Sequence, residues 1–168
     1  MKLLKTLLVA ATFLAPASPA ALAQQGKGDP VVDFSSSDKE MNAAIADARA
    51  HLPYFWQRQA SPARTESDFG LKVAFPVKGE QGETREHIWV SDVHRTAGGY
   101  AGKLANEPDW MPGKHLGDQV AFSDDMISDW GFYRDDMMIG FYTIRVMIRT
   151  LEPAEAARIR DHLGDNPR

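Results

Sequence analysis

The sequence predicts an α+β fold: a single antiparallel sheet of about four to five short strands, packed by an N-terminal helix and by C-terminal helices. Three observations predict it. Phe69, Leu71, Val73, Phe75 and Val77 alternate with Gly70, Lys72, Ala74, Pro76 and Lys78, the period of a half-buried strand, and a second strand pattern follows a polar turn. Ahead of that pair, Met41, Ile45, Ala48 and Leu52 recur at helical spacing. Behind it, Pro153 opens a run in which Ala156, Ile159 and Leu163 trace one face of a last helix, stopped by Gly164.

The chain starts with Lys2 and Lys5, an apolar run from Leu7 to Leu14, then Pro16, Pro19 and the small-residue triplet Ala21-Leu22-Ala23. That is the three-part layout of a secretory signal peptide, with cleavage expected after Ala23 and a mature chain from Gln24; the alternative is an uncleaved anchor. The apolar run is far shorter than the roughly 20 residues of a spanning helix, so no stable membrane insertion is expected after cleavage. There is no cysteine, which excludes disulfides and a lipid-attachment residue. Export without disulfides fits a periplasmic or secreted bacterial protein. Losing Lys2 and Lys5 leaves 17 basic against 23 acidic residues, a balance that argues against nucleic acid as a partner.

Residues 24–36, with Gly26, Gly28, Pro30 and serines from Ser35, read as a flexible linker. One domain is expected over residues 37–164, with a tail at 165–168. Ser37 and Glu40 form a capping box for the first helix, which Pro53 ends. Tyr54-Phe55-Trp56 either packs that helix on the sheet or forms an exposed binding patch. The first strand runs Phe69 to Lys78, with Pro76 near an edge or bulge because it cannot donate to a ladder. Across the turn at Gly79 to Glu83 the second strand, Glu86 to Arg95, completes an antiparallel hairpin. In it Ile88 and Val90 face one side and His87, Trp89 and Val93 the other, and the Trp89 ring is expected in the core.

Thr96 to Gly102 is a glycine-rich turn that matches neither the dinucleotide fingerprint nor the P-loop. Tyr100 to Ala105 reads as a short strand, Asp109 to Leu116 as an exposed loop, and Asp118 to Ser123 and Met126 to Tyr133 as strands joined by a turn at Asp124-Asp125. Met137 to Leu151 fits both periods. Its length, and Asp135-Asp136 as an N-cap, favour a helix.

Phe75-Pro76-Val77-Lys78, Glu86-His87-Ile88-Trp89-Val90, the run from Gly102 to Pro108, Gly117-Asp118-Gln119-Val120, Ile127-Ser128-Asp129-Trp130 and the run from Gly140 to Arg145 occur in an order that resembles the YegJ-like family of uncharacterised bacterial domains. The resemblance covers about residues 38 to 163. It implies a shared fold and brings no activity, cofactor or catalytic residue. Its members attached to repeat-type interaction domains imply a binding role by association.

No His-Glu-x-x-His or similar ligand spacing occurs, so neither a metal nor another cofactor is expected. His94 shares a strand face with Asp92 and Glu86 by period two, while His87 shares the opposite one with Trp89. Carboxylates paired across a sugar, with Trp89, Trp110 or Trp130 stacking on it, would allow glycoside hydrolysis. Turns, a helix start and a buried cap beside Trp130 account for the same carboxylates. Ser91, Ser123 and Ser128 lack a nucleophile-elbow setting. Two functions follow: a non-catalytic binding or inhibitor-like module for a protein or envelope component, and a small envelope hydrolase with a His/carboxylate site. The candidate binding residues are Glu86, His87, Asn106, Glu107 and Asp129; their convergence in one pocket would favour catalysis, their scatter binding.

Overall fold

A computed structural model describes residues 39–80 and 82–167. The expected leader, the linker and the Ser37 cap lie outside them. Helix α1 (Lys39–Ala50) buries Met41, Ala44 and Ala48 on one face, as the helical spacing requires. The chain turns at His51 and continues into α2 (Leu52–Ala60), with Pro53 in its first turn, where a missing N–H costs nothing. The aromatic cluster behind Pro53 therefore belongs to a second helix, which the sequence alone did not predict. It does pack inward: Phe55 is wholly buried, its ring centroid 5.8 Å from that of Trp130 and 6.0 Å from that of Phe69.

The strands are β1 (Glu66–Gly79), β2 (Gly82–Thr96), β3 (Gly99–Leu104), β4 (Gln119–Phe122), β5 (Ile127–Arg134) and β6 (Met137–Gly140). They form one antiparallel sheet in the order β4-β3-β2-β1-β5-β6. The count is six, not four to five, because Met137 to Leu151 is neither one helix nor one strand. Asp135 and Asp136 both take positive φ (49° and 64°), so they form a tight hairpin turn rather than a helix cap. After β6, Gly140 (φ 89°) and Phe141 (φ 51°) reverse the chain, and α3 (Tyr142–Met147) begins. Helix α4 (Pro153–His162) follows, and Leu163 bridges Met138 on the outer edge of β6. The expected tail is tied here: Asn166 Oδ1 accepts from the Gly140 N–H at 3.0 Å and from Arg145 at 2.9 Å.

Leu71, Val73 and Phe75 of β1 stand opposite Val90, Ile88 and Glu86 of β2, and Leu71 opposite Trp130 of β5. This face carries the core, capped by Phe55 and Ala48. The sheet is rolled. Four strand spacings separate β4 from β5, about 19 Å if flat. The link from Phe122 to Ile127 contains a 3₁₀ turn (Asp124–Met126) and reaches roughly 17 Å even when fully extended. Curvature makes up the difference, and it brings Phe122 of β4 to 6.5 Å from Phe75 of β1, edge to face.

Two expectations about faces fail at β2. A register shift between Ser91 and His94, with Asp92 at φ 51°, is a bulge. It turns Val93 into the core with Ile88 and Val90, and it ends the alternation that would align His94 and Asp92 with Glu86. Trp89 is not in the core. It pairs with Lys72 on the opposite face, half-buried, with its ring centroid 5.1 Å from that of Phe141 and the Lys72 ammonium 5.8 Å from the ring. Pro76 lies beyond Val73↔Ile127, the last pairing to β5, where its missing N–H leaves no gap in that ladder.

Candidate functional site

The segment between β3 and β4, residues 105–118, has no helix or strand of its own, yet both ends are fixed. Lys103 pairs with Gln119, the Leu104 N–H donates to the Asp118 carbonyl at 3.0 Å, and the Gly117 N–H donates to the Leu104 carbonyl at 2.8 Å. A compact loop with adjacent ends and its own internal bonds is an Ω-loop, a class often used for recognition.

Three of the five candidate residues hold this loop. Glu86 is buried on the core face of β2, and its carboxylate accepts from the backbone N–H of Asp109 at 2.5 Å and of Trp110 at 3.1 Å. Trp110 thereby lies over the β1–β2 hairpin, its ring 3.5 Å from where a Cβ on Gly79 would stand. Asn106 Oδ1 accepts from the Trp89 N–H at 3.0 Å, and the Trp89 carbonyl accepts from Ala105 at 2.8 Å, extending the β2–β3 ladder by a side chain. Glu107 bonds twice across the loop, to the Leu116 N–H and to His115 Nδ1, each at 2.8 Å. These bonds hold the Glu107 carboxyl below its ordinary range and raise the His115 imidazole. Next to them, Leu116 is 53% exposed, the one large apolar side chain left exposed among the described residues. Nothing in the periodicity marks Leu116; an apolar residue in a polar loop was the only signal.

The other two candidates lie elsewhere. Glu86 and His87 are consecutive in β2 and so point to opposite faces. His87 Nδ1 is 2.9 Å from Ser128 Oγ, and that hydroxyl donates to the Lys72 carbonyl at 3.1 Å. The ring therefore carries its proton on Nδ1. Burial of one edge, together with Lys72, Arg85 and Arg49, lowers its pKa to about 4.

Asp129 is wholly buried and caps α3, accepting from the N–H of Tyr142 at 3.1 Å and of Thr143 at 2.7 Å, and from the Thr143 hydroxyl at 2.6 Å. Burial raises its pKa against the pull of those bonds and of Lys72. The arrangement thus fixes backbone at four of the five positions, and no carboxylate among its hydrogen-bond partners orients His87 as a base.

A sequence profile for uncharacterised proteins conserved in bacteria, the DUF2314 family, matches residues 38–165. A protein of Neisseria meningitidis serogroup B that carries an ankyrin-repeat name is 34% identical over 125 residues, 71% of this chain and 49% of that protein. The Escherichia coli K12 protein YegJ, itself uncharacterised, is 32% identical over 111 residues, 60% of this chain and 72% of its own. The chain thus spans about half the length of its Neisseria relative. No solved structure matches. The profile takes in every described helix and strand together with the loop held by Glu86, Asn106 and Glu107, and the chain belongs to the DUF2314 family.

Proposed function

We propose that this protein is an exported, non-catalytic binding module of the inhibitor-like kind, which engages a protein partner of the cell envelope through its β3–β4 loop. One observation carries the reading: Glu86 of β2 and the loop's own Asn106 and Glu107 are all committed to holding a single irregular loop around an exposed leucine. A loop fixed before contact loses little conformational entropy on binding, which is how inhibitor loops gain affinity. The ankyrin-repeat name of the Neisseria relative supports a protein as the partner class. The envelope as the setting rests on the leader-like start and the cysteine-free chain. A hydrolase would need carboxylates free to act, and Glu86, Glu107 and Asp129 are engaged with backbone N–H groups.

The test is capture from periplasmic extract by wild type and by Leu116→Asp. The variant is expected to melt within about 0.5 kcal/mol of wild type, because the side chain is exposed, and to lose the captured partner. Intact mass of the periplasmic protein is expected to begin at Gln24. Undiminished capture by the variant rules out the loop as the contact; a chain retaining Met1 in the membrane fraction rules out the export.

A further inference from the structure

Where β5 begins, basic side chains gather around one break in the ladder. The register slips between Lys72↔Asp129 and Val73↔Ile127, leaving Ser128 as the extra residue. Its hydroxyl meets His87, which pairs across β1 with Ala74. Arg85 lies two residues from His87 on the same face of β2 and donates to the Ala74 carbonyl at 3.3 Å. Arg49 arrives from the last turn of α1 and donates through Nε to the Ile127 carbonyl and through Nη2 to the Asp125 carbonyl, both at 2.7 Å. Arg49, Arg85 and His87 are all exposed residues anchored at one side. These bonds use two of the five N–H donors of Arg49 and one of those of Arg85.

We propose that this bulge is an oxyanion site that takes a phosphate group, gripped by Arg49 and Arg85 with His87 between them. Lys72 adds a third cation two residues along β1 from Ala74, buried with its ammonium over Trp89. The carboxylates facing the cluster are Asp125, engaged by the Ser123 hydroxyl, and Asp129, engaged by α3. The three cations help keep the imidazole uncharged, with its Nε2 lone pair free of the Nδ1 proton.

A phosphate monoester or free phosphate carries roughly −1.5 to −2 charges near neutral pH, and its several oxygens suit two guanidinium forks. A carboxylate brings one charge and two oxygens. Once phosphate is seated, protonation of Nε2 becomes favourable, because the new anion reverses the local field that opposed it.

The experiment follows the His87 ring by NMR, with the resonance identified by its loss in His87→Gln. Inorganic phosphate and glycerol phosphate are titrated separately, with acetate as the contrast. Either phosphate is expected to shift the His87 signals saturably and to raise the pH at which the ring titrates, with acetate giving no such response. Arg85→Gln is expected to abolish the phosphate response while leaving the thermal melt and the capture of the loop's partner unchanged. Silence of His87 toward both phosphates, an equal response to acetate, or a full response in Arg85→Gln would overturn the site. Because the readout is at His87 and not at Leu116, failure here leaves the loop reading standing, and failure of the loop leaves this one.

Discussion

Asp129 shows how one side chain can organise a chain reversal. It terminates the bulged start of β5, and its carboxylate binds the first free N–H groups of α3, donors that a six-residue helix cannot satisfy internally. Asp129→Ala removes the acceptor of three buried N–H groups, those of Trp130, Tyr142 and Thr143, and of a hydroxyl, and we expect a loss of about 3 kcal/mol or more by urea denaturation. Trp89→Ala, by contrast, removes a ring that is only half-buried on the outer face, and about 1–2 kcal/mol is expected. The sequence alone implies the reverse ranking, because it places Trp89 in the core.

Glu66 carries a pH signature. Its side chain is wholly buried between Arg58 and Arg134, each bonding it at 2.7 Å, and the Ala63 N–H adds a further bond. Burial works against the charge, but Arg58, Ala63 and Arg134 prevail and hold the pKa at about 2 instead of 4.5. A folded-state pKa below the unfolded one stabilises the protein above pH 4.5, and that contribution is lost as pH falls toward 2. Glu66→Gln is therefore expected to lower stability at pH 7 by about 2 kcal/mol or more. The gap to wild type should close in chemical melts as pH falls through that window.

Among the elements, α1, the strands β1 to β5 and α4 were legible, while α2, β6 and the short α3 were not. The β1–β2 hairpin and α4 follow from period and punctuation, since five alternating apolar residues or a Pro153 start leave one reading. α2 was hidden because Pro53, read as a stop, is also a favoured start. β6 was hidden because its four residues are too few to show a period, and the Asp135-Asp136 turn resembles a cap. That turn offers a direct check. Asp136 holds φ 64° at the second turn position, where glycine is at ease, so Asp136→Gly is expected to raise stability by roughly 0.5–1 kcal/mol in thermal denaturation. The candidate residues were legible as polar groups at strand ends, and three of them do serve one loop. Asp129 is the buried cap beside Trp130 that the sequence offered as one reading, but Glu86 was not legible as buried, because periodicity reports a face and says nothing of what folds back over it.

At the scale of the molecule, rolling the sheet joins two locally built pieces. The meander β1 to β4 pairs neighbour with neighbour in sequence, and so does the β5–β6 hairpin. The seam between them, Lys72↔Asp129 and its flanking rungs, joins residues far apart in the chain, and it is reinforced where Arg134 of β5 meets Glu66 of β1 and Tyr54 of α2. Contacts at such separation form late, because closing the intervening chain costs entropy before any bond is gained. The consequence concerns the order of synthesis. A chain emerging from its N-terminus presents β1 with one edge paired to β2 and the other open, with Leu71, Val73 and Phe75 ready to template a stranger, until β5 has been made. Fragments ending before Ile127 are thus expected to aggregate through that open edge, and the last quarter of the sequence acts as the chain's own chaperone for its middle strand.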